Sequence, residues 1–394
     1  MYERNGIQKI IDRLCEPRKF IQVVMGPRQV GKTTGVKQAL KKCGNPYMFF
    51  TADAVPASNY AWISECWAVV RQRLKSENLS EIILVIDEIQ KISNWSEIVK
   101  KEWDMDSFNE IPVKVVLLGS SRVMIAKGLS ESLAGRFDAI RASHVKLQEM
   151  QDAFGFTTEE YIYYGGYPGA ADLIHDAERW EEYIYSSIIE STINKDILMN
   201  TPINKPALLR QTFELSSSYS GEILSLTKML GSLQDAGNTT TLSSYLSLLN
   251  DSGLVTGLQK YAVDMARKRA SVPKFQVYNN SLKNVYSNKR IDDALSDSKL
   301  WGRIYESAIG AHVVTNALIG NYEVYYWREG NMEVDYLIKK KNELVAIEVK
   351  SNNEMTNKGL EYVKEHFNCS NTLVVGPNGF PTETFLKMTP AELF

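Results

Sequence analysis

Cysteine and histidine are scarce, with four of each in 394 residues. Cys15, Cys43, Cys66 and Cys369 lie far apart and form no CxxC pair. That spacing excludes a zinc framework and the disulfide scaffold of small secreted domains. It predicts buried free thiols in a reducing compartment. His144, His175, His312 and His366 are equally scattered, so no histidine-rich metal site is expected. An excess of one charge is missing too: 45 Lys and Arg face 47 Asp and Glu, a net charge of −2. No global basic field draws this chain to nucleic acid, and any such surface must be local. No run approaches the roughly eighteen apolar residues that a membrane span needs. The first residues, MYERNGIQKIIDRL, are charged and helix-like rather than apolar. No membrane association is expected, and the cytoplasm is the expected compartment. There is no low-complexity tract and no internal repeat. The length suits two or three domains, and 44% hydrophobic residues give each a core.

What the chain does have is one dense stretch, Gly26-Pro27-Arg28-Gln29-Val30-Gly31-Lys32-Thr33, followed by Thr34. Two glycines four residues apart, then Lys-Thr, form the phosphate-binding loop pattern. The apolar run Ile21 to Met25 suits a buried strand, and Thr33 to Leu40 suits a helix. Strand, Gly-rich turn and helix is the context in which backbone N–H groups and a helix N-terminus converge on a phosphate. Lys32 is then placed to reach the β- and γ-phosphates, and the Thr33 hydroxyl to ligate Mg²⁺.

A second signal follows in Ile82-Ile83-Leu84-Val85-Ile86-Asp87-Glu88. A continuous apolar run predicts a strand buried on both faces of a parallel sheet. It ends in two acids, where ligands sit in such sheets. Alone, two acids are an ordinary charged strand end. Paired with the loop, Asp87 is expected to hold Mg²⁺ and Glu88 to act as general base on the attacking water. Val113 to Leu118 predicts another buried strand, closing on Ser120 and Ser121, either of which could sense the γ-phosphate or position the water. Arg136 is a candidate to stabilise transition-state charge, in cis or in trans, with a surface arginine as the plain alternative. Helices are expected over Ile7 to Leu14 and around Ile63, Trp67, Val70 and Leu74, and a short strand over Tyr47 to Phe50.

The phrases GPRQVGKTT, LVIDEIQKI, LLGSS and ESLAGRF resemble those of the bacterial and archaeal AAA-type ATPases that carry an extra C-terminal domain of uncertain role. The later Tyr164-Gly165-Gly166-Tyr167-Pro168 is similar to that family's GGYP segment. The resemblance implies an additional-strand P-loop ATPase core, with ATP and Mg²⁺ as cofactors and a tendency to self-associate. Where relatives place Asp before a Gly-Leu pair, this chain reads Asn279-Asn280-Ser281-Leu282.

The middle of the chain reads as helical over about 157 to 213, with Ile188, Ile189, Ile193 and Ile197 as a packing stripe. Residues 214 to 278 predict a winged helix. Ile223, Leu224, Met229 and Leu230 pattern one helix, and Leu242, Tyr245, Leu246 and Leu249 a second. Two strands then flank a basic loop, Arg267-Lys268-Arg269. The second helix offers Thr239, Thr240, Ser243, Ser244 and Ser247 outward, enough for phosphate contact but poor in base-reading side chains. Contact with DNA and packing against protein both remain open.

The last stretch places Asp335 on one strand, and Glu348 and Lys350 two residues apart on the next, hence on one face. Glu306, on a helix over Gly302 to Ala317, completes a carboxylate set that could share Mg²⁺, with Lys350 activating water. This pattern resembles the PD-(D/E)xK nuclease-like fold, which implies nucleic-acid cleavage, and an ion-paired strand face is the alternative. The expected architecture is thus α/β. It comprises an AAA-type P-loop core over 1–155, a helical connector over 156–213, a winged helix over 214–280 and a small restriction-endonuclease-like domain over 281–394. The expected activity is ATP hydrolysis coupled to a DNA-directed nuclease-like domain. The alternative is a nucleotide-switched module that binds DNA or protein, with an inactive last domain.

Overall fold

A computed structural model describes residues 2–4, 6–120, 129, 132–234, 237–262, 271–354 and 358–394. The contacts divide the chain into two units, Met1–Ala142 and Ser143–Phe394. Among the described residues, no helix is long and apolar enough to cross a membrane.

The first unit is built on a five-stranded sheet. Its strands are β1 (Ile21–Met25), β2 (Tyr47–Thr51), β3 (Ile82–Asp87), β4 (Val113–Gly119) and β5 (Phe137–Arg141). Their order is β2-β3-β4-β1-β5, and every neighbouring pair is parallel. Among the described residues, helices α1 (Ile7–Cys15), α2 (Lys32–Cys43), α3 (Ala61–Ser76) and α4 (Trp95–Phe108) cover its two faces. The strand period of two explains why β3 is apolar throughout. Ile82, Leu84 and Ile86 enter one core with Ile63, Trp67 and Val70 of α3 and Val99 of α4. Ile83 and Val85 enter another with Ile10 of α1 and Val36 and Leu40 of α2. The helices and strands expected here all form, within two residues at most ends apart from α2, which runs on to Cys43. Cysteine burial departs from expectation. Cys66 is buried, but Cys15 is exposed and its Sγ lies 3.4 Å from that of Cys43. Folding of α1 beside α2 brings together two thiols that are 28 residues apart.

The second unit holds a six-stranded mixed sheet of β6 (Val255–Lys260), β7 (Lys274–Val277), β8 (Glu323–Glu329), β9 (Met332–Lys340), β10 (Glu343–Val349) and β11 (Asn371–Val375). The order is β11-β10-β9-β8-β6-β7. The strands expected to flank the wing therefore continue the sheet of the last stretch. The first half of β6 pairs with β7, while Gln259 and Lys260 pair with β8. The ribbon thereby lets β7 face β9, and the Tyr336 hydroxyl donates to Gln276 Oε1 at 2.9 Å. The helix expected from Ile223 begins later, at Leu226, because the Ser225 hydroxyl caps it by accepting from Lys228 N–H. Ile223 instead bridges to Lys274. The helix Thr239–Asp251 buries Leu242, Tyr245, Leu246 and Leu249 and exposes Thr239, Thr240, Ser243, Ser244 and Ser247, as its spacing predicts. The isoleucine stripe is buried over Tyr183–Glu190 and Ile193–Leu198, both wound as π-helix. Asp196, beside Ile197, is buried as well. The basic loop Arg267-Lys268-Arg269 lies outside the described residues.

Gly165-Gly166 and Asn279-Asn280 meet. A Cβ on Gly165 would fall 1.9 Å from Asn279 Oδ1, and one on Gly166 would fall 2.1 Å from the Val145 carbonyl. Asn279 Oδ1 also accepts from Ser281 N–H and Oγ, closing a local turn.

Gly26 is required in the same way, since its Cβ would stand 2.4 Å from the Ala142 carbonyl. Gly35, in α2, has open space around its Cβ. Gly26→Ala is expected to lower both the melting temperature and nucleotide affinity. Gly35→Ala should stabilise the nucleotide-free chain by about 0.4–1 kcal/mol in urea denaturation.

Candidate functional site

The phosphate loop leaves β1 at Met25 and turns into α2. Gly31 takes φ +83°, a left-handed conformation open to glycine, and Gln29 takes φ +56°. Lys32 starts the helix and folds back, donating from Nζ to the Gly26 carbonyl at 2.8 Å and the Pro27 carbonyl at 2.6 Å. The loop thus closes around its own ammonium. Val30 is buried, while Gln29 and Thr34 are exposed and Arg28 is half-buried. The Arg4 guanidinium donates to the Val30 carbonyl, a contact to the loop that no motif signals.

Thr33 Oγ1 donates to Asp87 Oδ2 at 2.7 Å, and Asp87 Oδ1 accepts from Glu88 N–H at 2.9 Å. Burial pushes the Asp87 carboxyl up from its ordinary value, opposed by the Thr33 bond and reinforced by the charge on Glu88. Glu88 takes the left-handed φ +53°, costly for a side chain of this size. That turn sends its carboxylate to Gln90 and Ser120. Gln90 Nε2 donates to Glu88 Oε2 at 2.5 Å, and Ser120 Oγ donates to the same oxygen at 3.2 Å. Ser120 follows β4, which lies between β1 and β3, so sheet order sets it between loop and acids. Gln90 is buried and was missed in the sequence; its only signal is its place two residues after the acid. Ser121 lies outside the described residues.

Arg136 is not brought to this site within its own chain. It precedes β5, its carbonyl accepts from Ile21 N–H at 2.8 Å, and Ile21 begins β1. The loop begins after the other end of that strand, about 15 Å away. The guanidinium instead makes a two-pronged pair with Asp104, at 2.7 and 3.0 Å. The basic residue at the loop's edge of the sheet is Arg141, in register with Met25. A basic residue closing a strand was its only sequence signal.

The second expected constellation assembles differently. Asp335 and Glu348 lie on the antiparallel pair β9 and β10, and Asp335 Oδ2 accepts from Val349 N–H at 2.9 Å. Between Glu306 and Asp335 stands the ammonium of Lys274. Nζ is 2.8 Å from Glu306 Oε1, 3.1 Å from Asp335 Oδ1 and 3.6 Å from Glu333 Oε1. Lys274 is fully buried. Burial would drive its proton off, yet Glu306 and Asp335 hold the amine well above its ordinary value. Burial, then the charge of Asp335, push the Glu306 carboxyl up from its ordinary value, and Lys274 opposes them. Lys350 pairs separately with Glu348 at 3.0 Å. The carboxylates of Glu306, Asp335 and Glu348, expected to share Mg²⁺, face lysines in this structure: Glu306 and Asp335 face Lys274, and Glu348 faces Lys350. Among the described residues no three His, Cys, Asp or Glu are arranged to hold a metal ion.

Comparison with known proteins agrees with the first half of this geometry. A family model described as an AAA domain matches residues 18–151. Two domains of unknown function follow, DUF8612 over 156–292 and DUF4143 over 301–392. An uncharacterized protein of Mycobacterium tuberculosis is 23% identical over 339 residues, covering 84% of this chain and 70% of that one. An uncharacterized protein of Methanocaldococcus jannaschii is 22% identical over 364 residues, 86% and 77% of the two chains. Among solved structures, the Aeropyrum pernix ORC2 protein shares 14% identity over 75% of this chain and 96% of its own, with a TM-score of 0.41. The Thermotoga maritima RuvB Holliday junction branch migration motor shares 16% over 64% and 88%, with a TM-score of 0.35. The chain carries an AAA-family P-loop ATPase domain followed by two domains without assigned function.

If Arg136 acts on no nucleotide of its own chain, Arg136→Ala should leave ATP turnover of a monomeric sample within about twofold, since an exposed ion pair contributes little. Arg141→Ala should lower it more. Turnover at a concentration shown to be monomeric by sedimentation checks both.

Proposed function

We propose that this protein is a Mg²⁺-dependent ATPase whose nucleotide state governs the binding of a partner, DNA or protein, by the second unit. The observation that carries the hydrolytic half is the linked set Thr33–Asp87 and Glu88–Gln90–Ser120. The loop's N–H groups and Lys32 bind the phosphates once the ammonium exchanges the carbonyls of Gly26 and Pro27 for phosphate oxygens. Magnesium takes hard oxygen donors and few protein ligands, and the Thr33 hydroxyl and Asp87 carboxylate fit that need. When bound, the ion would offset charge on the terminal phosphates. Glu88 takes the proton of the attacking water, and Gln90 and Ser120 hold its carboxylate in line.

For the second unit, binding is favoured over cleavage. Cleavage through Asp335, Glu348 and Lys350 would need a divalent cation where Lys274 already stands. The exposed hydroxyl row of Thr239–Asp251 supports contact with phosphates without base reading. Arg136, far from the nucleotide of its own chain, suits a role in a homo-oligomer.

Glu88→Gln is expected to bind ATP yet lower kcat about 10²- to 10⁴-fold, and Lys32→Ala to lose ATP binding. Turnover of Glu88→Gln at the unsubstituted rate would remove Glu88 as base. Labelled DNA incubated with the protein and Mg²⁺ should stay intact with or without ATP. ATP-sensitive retention would identify DNA as the partner, and its absence would leave a protein.

A further inference from the structure

The proposed binding role leaves unexplained why a lysine is buried completely among carboxylates in the second unit. Lys274 comes from β7, Glu306 from the helix Ser298–Gly320, and Asp335 from β9. Two separate elements thus place carboxylate oxygens within 3.1 Å of a nitrogen supplied by a third. Lys274 Nζ also lies 5.0 Å from the centre of the Tyr336 ring. The Tyr336 hydroxyl donates to Gln276 Oε1 at 2.9 Å and contacts the Glu306 carbonyl at 3.2 Å. Gln276 Nε2 donates to the Ser307 carbonyl at 2.8 Å. These neighbours fix β7 against the helix and the sheet, so the ammonium is held rather than swung in from solvent. Carboxylates brought this close to one another repel unless a cation lies among them.

We infer that Lys274 is the resident cation of this site: its ammonium occupies the place of a divalent metal between Glu306 and Asp335, and the carboxylates form a metal site only once Lys274 is removed. A buried amine with three N–H donors matches three carboxylates as a metal ion would, but it ligates no water and supplies no nucleophile. The inference shares with the proposed function only its preference for binding over cleavage. No nucleotide enters its test, so its failure would leave the ATPase proposal standing.

The test counts Mn²⁺ bound to the full chain by electron paramagnetic resonance. Every sample carries Asp87→Asn, so that the phosphate loop contributes no site. With Lys274 in place, no Mn²⁺ should bind at this site more tightly than about 1 mM. Lys274→Ala should gain one Mn²⁺ per chain, at least about tenfold tighter, and adding Asp335→Asn should abolish the gain. Lys274→Ala should also melt below the parent chain and recover with Mn²⁺. Stoichiometric Mn²⁺ on the Lys274-bearing chain, lost with Asp335→Asn, would overturn the inference. So would a cooperatively folded Lys274→Ala chain that gains no ion. If Lys274→Ala fails to fold, the titration of the Lys274-bearing chain with and without Asp335→Asn still decides.

Discussion

The 2.7 Å bond from Thr33 to Asp87 joins the first turn of α2 to the end of β3. Helix α2 follows β1, and β1 and β3 are not neighbours, since β4 runs between them. A buried carboxylate left without such a partner would cost on the order of 1–3 kcal/mol, more when charged. Asp87 is met by a hydroxyl and a backbone N–H, neither of which cancels its charge. The acid therefore stays available to a cation that arrives with a nucleotide. The same sheet order brings Ser120 beside Glu88. Strand order, more than any single motif, gathers Asp87, Glu88 and Ser120 beside the phosphate loop.

Much of the first unit was legible because its signals are local. A strand buried on both faces must be apolar at every position, and Ile82 to Ile86 is. A loop that wraps phosphate needs glycine where φ is positive, and Gly31 is there. Gln90 and Arg4 escaped notice because each acts through a turn or a terminal segment that no periodicity encodes. For Arg136 the sequence left cis and trans open for a related reason. Its distance from the loop of its own chain depends on the direction of β5, which the sequence near it does not state.

The second unit shows the limit more sharply. The two strands expected to carry Asp335 and Glu348 form, and Glu348 and Lys350 do share a face. Lys274 lies 61 residues before Asp335. It reads on its own as the polar start of a short strand. Only the bend of β6, pairing first with β7 and then with β8, carries it into the carboxylates. Its burial is a tertiary fact, and the chemistry of the site depends on it.

The two units set acidic strand residues in opposite electrostatic surroundings. In the first, Asp87 faces neutral donors, and Glu88 is held by an amide and a hydroxyl. In the second, Asp335 and Glu348 each face a lysine amine at about 3 Å. A carboxylate held by neutral groups keeps a negative charge that can bind a cation or accept a proton. One paired with a buried ammonium has already given up that capacity, and removing either partner destabilises the fold rather than the chemistry. Acids at strand ends are therefore informative about catalysis only once the charge of what they touch is known.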